Sequence, residues 1–578
     1  MFRITTGYLA VAWMLWQVVG TTCPAFECST QLQKSIFWFL IAGLPITLAI
    51  AWVNWKTAIL VGSGLLAGAT VMFFVMRGPA TETRTTVIAP PVAVTQSAPE
   101  PDSAIEEKSI AVLPFVNMSA DPEQEYFSDG ISEEILHALV GVPDLRVVAR
   151  TSAFSFKGKE IDIRTIGDTL SVNHVLEGSV RKAGNRLRIT AQLIKVDDGF
   201  HLWSETYDRE MTDIFAIQEE IARSVVEKLE VALGLAAEDP LVQIGTADTE
   251  AYTWYLEGRY EFKQQSPQSV RKAIESFTKA IELDPDFAGG YGGLALVSAD
   301  MSLSQPYGVF ADQVRAAYKR ALELDGSQVE ALLAKAWDTL FTDYDFRTSE
   351  ALVKKALEVS ADKTLVVDNY IFLYLVPQRR FDEALQLLAL AEREDPLSPL
   401  LKRDVGYVLL YKGDHDEEAL SKFNEAFELN PEDGYLMSGL RMVYTRLGRL
   451  AEAEEALDQI ETAIGREHPF WLVADARLRL ALGERDAAEA DRQEMIAVYE
   501  SGQFSPATFI GNISASLGLL DEAIIWFERA DETREFWSIN IAMYNRHNSA
   551  LWDHPRFQAL LKKMNLDDAS IAAAKMVD

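Results

Sequence analysis

Few residues in this chain are spaced for chemistry. The seven histidines, His137, His174, His201, His415, His468, His547 and His554, are dispersed. None forms the H-x-x-H or H-E-x-x-H pair that would grip a metal. Gly289-Gly-Tyr-Gly-Gly293 has the glycine density of a phosphate loop but lacks the Lys-Ser/Thr that must follow one, so close helix packing is the simpler reading. Arg181, Lys182, Arg186, Arg188 and Lys195 make a basic hairpin, either an anionic-ligand site or the solvated outer face of a meander. No nucleophile–base pair or paired carboxylate stands in a recognisable context. The chain is therefore expected to be non-enzymatic, without cofactor or metal. Its two cysteines, Cys23 and Cys28, lie close together near the start.

A net charge of -32 argues against nucleic acid, whose phosphates are bound by clustered Lys and Arg. Three uncharged stretches precede residue 77, at about 5–22, 35–53 and 57–76. The last two would each span about 28–30 Å as helices, the thickness of a bilayer core. They predict a three-span transmembrane region over 1–77 with membrane lipid as a partner. The flanking charges, Arg3 and Lys56 against Lys34, Arg77 and Arg84, do not settle its orientation. With the amino terminus inside, Cys23 and Cys28 fall in an oxidising compartment and are candidates for a disulfide; two free thiols are the alternative. Residues 78–107, rich in Pro, Ala and Thr, predict a disordered linker.

Order resumes with the apolar run Ser109-Ile-Ala-Val-Leu-Pro-Phe115, suited to a buried strand. Leu145–Ala149 predicts a second short strand. Leu187, Ile189, Ala191 and Leu193 alternate with polar residues as a half-buried strand does, between the turns Ala183-Gly-Asn185 and Asp197-Asp-Gly199. Ile214, Ile217, Ile221, Val225 and Leu229 form one stripe of a helix. Together these predict a small α/β domain over 108–233. Ser109–Phe115, Tyr126-Phe-Ser-Asp-Gly130, Leu176-Glu-Gly-Ser-Val-Arg181 and Leu202-Trp-Ser-Glu-Thr-Tyr-Asp208 resemble the TolB amino-terminal/FlgO-like domain of bacterial membrane proteins. That resemblance implies a non-enzymatic periplasmic module and a multi-pass inner-membrane protein with periplasmic C-terminal domains. Some relatives carry a winged-helix or nucleotide-cyclase domain ahead of the membrane; with about four residues before the first stretch, neither output is expected here.

The strongest signal is periodic. Ala273, Phe277, Ala280 and Pro285 recur as Ala384, Leu388, Ala391 and Pro396, and again as Ala419, Phe423, Ala426 and Pro431. Ala280, Ala321, Ala356, Ala391, Ala426, Ile460, Met495 and Ala530 keep a beat of about 35 residues, as do Gly413, Gly448, Gly483 and Gly518. Such a unit is a helix pair that buries its apolar face only against its neighbours. The pattern resembles that of tetratricopeptide (TPR) repeats and predicts an α-helical TPR superhelix over 249–565, about eight repeats long, that binds a protein or peptide. Such arrays present their first helices to the concave face. Here the first helices carry Arg403, Arg441, Arg446, Arg477 and Arg479, while the second carry Glu383, Glu417, Glu418, Glu452 and Glu455. The five arginines are therefore candidate partner-binding residues for an acidic peptide or a C-terminal carboxylate; pairing with neighbouring glutamates is the alternative. The function expected is an envelope-anchored scaffold. A membrane sensor, with a ligand on its α/β domain and a separate cytoplasmic regulator, is the other expectation.

Overall fold

The computed structural model describes residues 108–229, 241, 245–264, 266–303, 305–431, 433–503 and 506–575. Residues 101–578 cluster as one compact unit. It is mostly a TPR-like helical superhelix, preceded by a small α/β region whose strands lie between 109 and 210.

In the α/β region the sheet order is β3-β1-β4-β5-β6, with β2 also beside β4. The strands are β1 (Ser109–Val112), β2 (Val116–Asn117), β3 (Arg146–Val147), β4 (His174–Ala183), β5 (Arg186–Lys195) and β6 (His201–Glu210). β1 runs parallel to β3 and β4, while β4, β5 and β6 form an antiparallel meander. Helices α1 (Glu125–Val140) and α4 (Ile214–Lys228) share a core with β1, β4 and β5 through Phe127, Ile131, Leu176, Ile189, Ile217 and Ile221. Between these two lie the short α2 (Arg150–Phe154) and α3 (Ile163–Leu170). The strand expected at 145–149 is reduced to two residues, because the chain turns into α2 directly after it.

Eight helix pairs follow among the described residues. The first helices are α5 (Thr249–Lys263), α7 (Ala288–Asp300), α9 (Val329–Asp343), α11 (Lys363–Tyr370), α13 (Pro399–Lys412), α15 (Gly434–Arg446), α17 (Pro469–Leu482) and α19 (Ala507–Ser516). The second helices are α6 (Pro267–Leu283), α8 (Ala311–Leu324), α10 (Phe346–Val359), α12 (Phe381–Glu394), α14 (Asp416–Leu429), α16 (Leu450–Ile464), α18 (Arg485–Glu500) and α20 (Leu520–Thr533). Starts are set by local chemistry: the Ser266 and Ser398 hydroxyls cap helices whose first residues are Pro267 and Pro399. Gly413, Gly448, Gly483 and Gly518 turn the chain between first and second helices at φ of 84, 71, 82 and 76°, a region glycine enters without steric cost.

The crossings explain the rest of the repeat. Ala273, Ala384, Ala419, Ala453, Ala488 and Ala523 are all fully buried. Beside them an aromatic ring fills the space that glycines leave on the first helices. A Cβ on Gly406 or Gly439 would lie 2.6 or 2.7 Å from the Phe423 ring, and one on Gly258 or Gly293 would lie 2.8 or 2.4 Å from Phe277. Gly289–Gly293 is thus part of a helix interior and serves packing.

Two long-range fastenings distinguish this superhelix from an open spiral. The first joins it to the α/β region. Tyr252 and Leu256 of α5 belong to the α/β core. Glu133 of α1 is ringed by Arg150, by Arg259 at 3.0 Å and by Lys263 at 2.7 Å. Asp395, in the α12–α13 turn, accepts hydrogen bonds from the Ser152 amide and hydroxyl and from Thr364. The second fastening brings the end of the chain back onto the second and third pairs. Phe536 packs against Trp337 and Phe341 at 5.4 and 5.5 Å, Tyr344 donates to Asp531 at 2.8 Å, and the Tyr307 amide donates to the Arg534 carbonyl at 3.2 Å.

The expected fold class is corrected in one respect. Among the described residues no helix is long and apolar enough to cross a membrane, so the N-terminal transmembrane region, the multi-pass inner-membrane localisation and the lipid partner are not carried forward. The stretches at 5–22, 35–53 and 57–76 lie outside the described residues. Cys23 and Cys28 also lie outside the described residues.

Candidate functional site

The inner helices bring one set of polar side chains together. On α13, Arg403, Tyr407 and Tyr411 are four residues apart and share a face. Arg403 is ion-paired to Asp433 at 3.0 Å, Asp404 at 3.2 Å and Asp368 at 3.5 Å, and lies over the Tyr435 ring at 5.7 Å. Burial works against its charge, but these three carboxylates outweigh it and raise its pKa. Asp404 is fully buried, and its Oδ2 has no hydrogen-bond partner. Burial pushes both Asp368 and Asp404 up, against the pull of Arg403. Asp300, at the end of α7, is pushed up to about 7 by burial and then by the charge of Asp368. Tyr435 is 44% exposed yet pushed up to about 12, by its surroundings first and Asp300 second.

Aromatic rings continue this set. Tyr407 donates to the Tyr435 carbonyl at 2.6 Å and stacks on Tyr411 at 5.7 Å. Tyr411 meets the edge of Tyr544, from the short helix α21 (Ile541–Asn545), at 6.1 Å. The Arg477 guanidinium lies over Tyr544 at 5.2 Å. Arg441, one repeat before Arg477, is 2% exposed. Its pKa falls to about 10, through burial and then the neighbouring positive charge of Arg477.

The five arginines expected to bind a partner therefore divide. Arg403 is spent on three aspartates. Arg446 pairs with Asp416 at 3.0 Å, and Arg479 with Asp475 at 3.0 Å and Glu484 at 2.8 Å. Arg441 and Arg477 make no ion pair or side-chain hydrogen bond with any described residue. The basic hairpin is also occupied: Arg186 and Arg188 both bond Asp208 of β6, and Arg181 donates to the Met118 carbonyl. The four tyrosines and the three aspartates were not singled out in the sequence. The signal available was a polar residue inside an otherwise apolar first helix, as in Arg403-Asp-Val-Gly-Tyr407.

Residues 106–224 match the model of the second domain of HilA/YgeH-like transcriptional regulators. The expected TolB amino-terminal/FlgO-like identity finds no support; short apolar strands and turn motifs recur across many small α/β modules. Over 248 residues the chain is 41% identical to a putative adenylate cyclase 3 of Rhizobium meliloti, covering 42% of each protein. Over 323 residues it is 25% identical to the transcriptional regulator HilA of Salmonella typhimurium, covering 53% of this chain and 54% of that one. The chain thus spans about half or less of the length of these curated relatives. Among solved structures it is similar to YrrB, a TPR protein with an unusual peptide-binding site, at 23% identity and a TM-score of 0.24, covering 35% of this chain and 98% of that one.

Proposed function

We propose that this chain is an interaction scaffold, without catalytic activity of its own, that receives a segment of a partner protein along the inner helices of its superhelix. The observation that carries this reading is the row Tyr407, Tyr411, Tyr544 and Arg477, contributed by three helices, α13, α21 and α17, and continuous through ring contacts of 5.2–6.1 Å. Aromatic rings with polar tips, beside a guanidinium, are the side chains that anchor interfaces. One curated relative is named a putative adenylate cyclase and another a transcriptional regulator, and likeness to proteins of such different output favours neither output for this chain.

A photo-crosslinking amino acid placed at Tyr411 should capture a discrete partner from the native cell, and Tyr544→Ala should abolish that capture. The same probe at Glu454, on the exposed face of α16, should not capture it. Crosslinks from Glu454 alone would move the interface to the outer helices and end the reading.

A further inference from the structure

Buried charge in this protein is almost always answered. Three arginines are buried among the described residues: Arg380, Arg441 and Arg492. Arg380 bonds Glu350 and Glu383 at 2.7–2.9 Å, and Arg492 bonds Glu489 and Glu522 at 2.7 Å. Glu133, on the other sign, has three cations. Arg441 has none of this. Its Nε is without a hydrogen-bond partner, and the charged group beside it is another cation, Arg477. The nearest acid facing it, Asp475, is committed to Arg479 at 3.0 Å. On the next inner helix the Asn512 amide, which accepts from Asn545 at 2.7 Å, has its own Nδ2 without an acceptor. Arg441 therefore keeps a buried donor and a positive charge with no side chain to receive them.

We infer that Arg441 and Arg477 form a binding site for a compact, doubly charged oxyanion, a phosphate monoester or a dicarboxylate, at the interior face of α15 and α17. Two planar guanidinium forks present parallel N–H donors that match the oxygens of a phosphate or carboxylate two at a time. One negative charge would leave the pair half neutralised, whereas a dianion answers both. The Tyr544 ring lies 5.2 Å from the Arg477 guanidinium and restricts where it can move. The inference deepens the binding role proposed above, and rests on that role only for whether the oxyanion belongs to a partner segment or is free.

The test uses the purified 578-residue chain, titrated separately with inorganic phosphate and with succinate and followed by calorimetry and thermal melting. At least one anion should bind and raise the melting temperature. Arg441→Gln and Arg477→Gln should each weaken that binding tenfold or more, while Arg479→Gln, whose guanidinium is already paired, should leave it unchanged. Without anion, Arg441→Gln should melt no lower than the unmodified chain, since it removes a buried charge that has no partner. Phosphate alone, succinate alone or both would name the oxyanion class. Heat from neither anion, or equal binding by all three variants, overturns the site. Crosslinking at Tyr411 can succeed when these titrations fail, and the reverse, so the two readings fail separately.

Discussion

Gly439→Ala separates the packing argument from simple helix propensity. In an exposed helix this change is favourable by about 1 kcal/mol, because alanine loses less backbone entropy than glycine. At Gly439 the new Cβ would stand 2.7 Å from two carbons of the Phe423 ring and 3.3 Å from a third. Carbon atoms rest at about 3.5–4.0 Å, so the overlap is close to 1 Å. The ring cannot retreat: toward α13 it already fills the space over Gly406, where a Cβ would lie 2.6 Å away, and Tyr407 meets it edge-on at 5.2 Å. Overpacking of this kind costs about 1–3 kcal/mol, and contact with two ring atoms places it near the top of that range. The clash should win, leaving a net loss of about 2 kcal/mol. Gly434→Ala, on the same helix with nothing within 4 Å of the new methyl, should be neutral or stabilising. Gly439→Ala combined with Phe423→Leu should fall short of the sum of the single changes by about 1 kcal/mol or more, as expected for residues in contact. Urea unfolding followed by far-UV circular dichroism reads all four variants. If Gly439→Ala proves as stable as Gly434→Ala, or the double change is additive, the wedge between neighbouring repeats is refuted.

Three further outcomes follow from the same contacts. Glu133→Gln should destabilise by about 3 kcal/mol, since it strands Arg150 and Lys263 beside a neutral group and leaves Arg259 with Glu134 alone; an unchanged denaturation midpoint would mean that the α/β region is not fastened there. Ala419→Leu and Ala523→Leu should each cost about 1–3 kcal/mol by overpacking fully buried crossings, while Glu454→Ala on the exposed face of α16 should leave the midpoint unmoved. Asp300, raised to about 7 from 3.8 in the folded chain, binds more protons when folded than when unfolded between those values, so its contribution to stability is lost as pH rises from about 4 through 7. Asp300→Asn should therefore lose less melting temperature between pH 5 and 8 than the unmodified chain; a parallel pair of curves would contradict the raised pKa.

What the sequence disclosed, and what it concealed, divides along sequence separation. The repeat was legible because each unit carries its own packing rule: Ala419, Phe423 and Ala426 touch residues within about one repeat, so the beat shows in the letters. Which arginines are free was not legible. The acids that consume Arg403 and Arg446 stand some thirty residues away, at Asp433 and Asp416, and only the superhelical twist brings them near. The return of the chain end onto α9 was still more remote, since Tyr344 and Asp531 are 187 residues apart. The uncharged N-terminal stretches lie outside the described residues, among which no helix is long and apolar enough to cross a membrane.

The unpaired pair of guanidiniums and the two fastenings belong to one argument. A repeat array bound only by nearest neighbours can flex, and in a flexing interior a long side chain such as Arg441 would swing until it found a carboxylate. Here the inner surface is held. Phe423 sets the spacing of α13 and α15 from within the array, and the Tyr407 hydroxyl ties the two helices again at the Tyr435 carbonyl. Further out, Phe536 against Trp337 and Phe341 closes one end, and Asp395 with Ser152 braces the α12–α13 turn against the α/β region. An uncompensated buried cation opposes folding by several kcal/mol, so it persists only where the surrounding packing is strong enough to hold it in place. The surplus of contacts at the fastenings and the deficit at Arg441 are thus complementary, and a site that keeps its charge unpaired until a ligand arrives needs both.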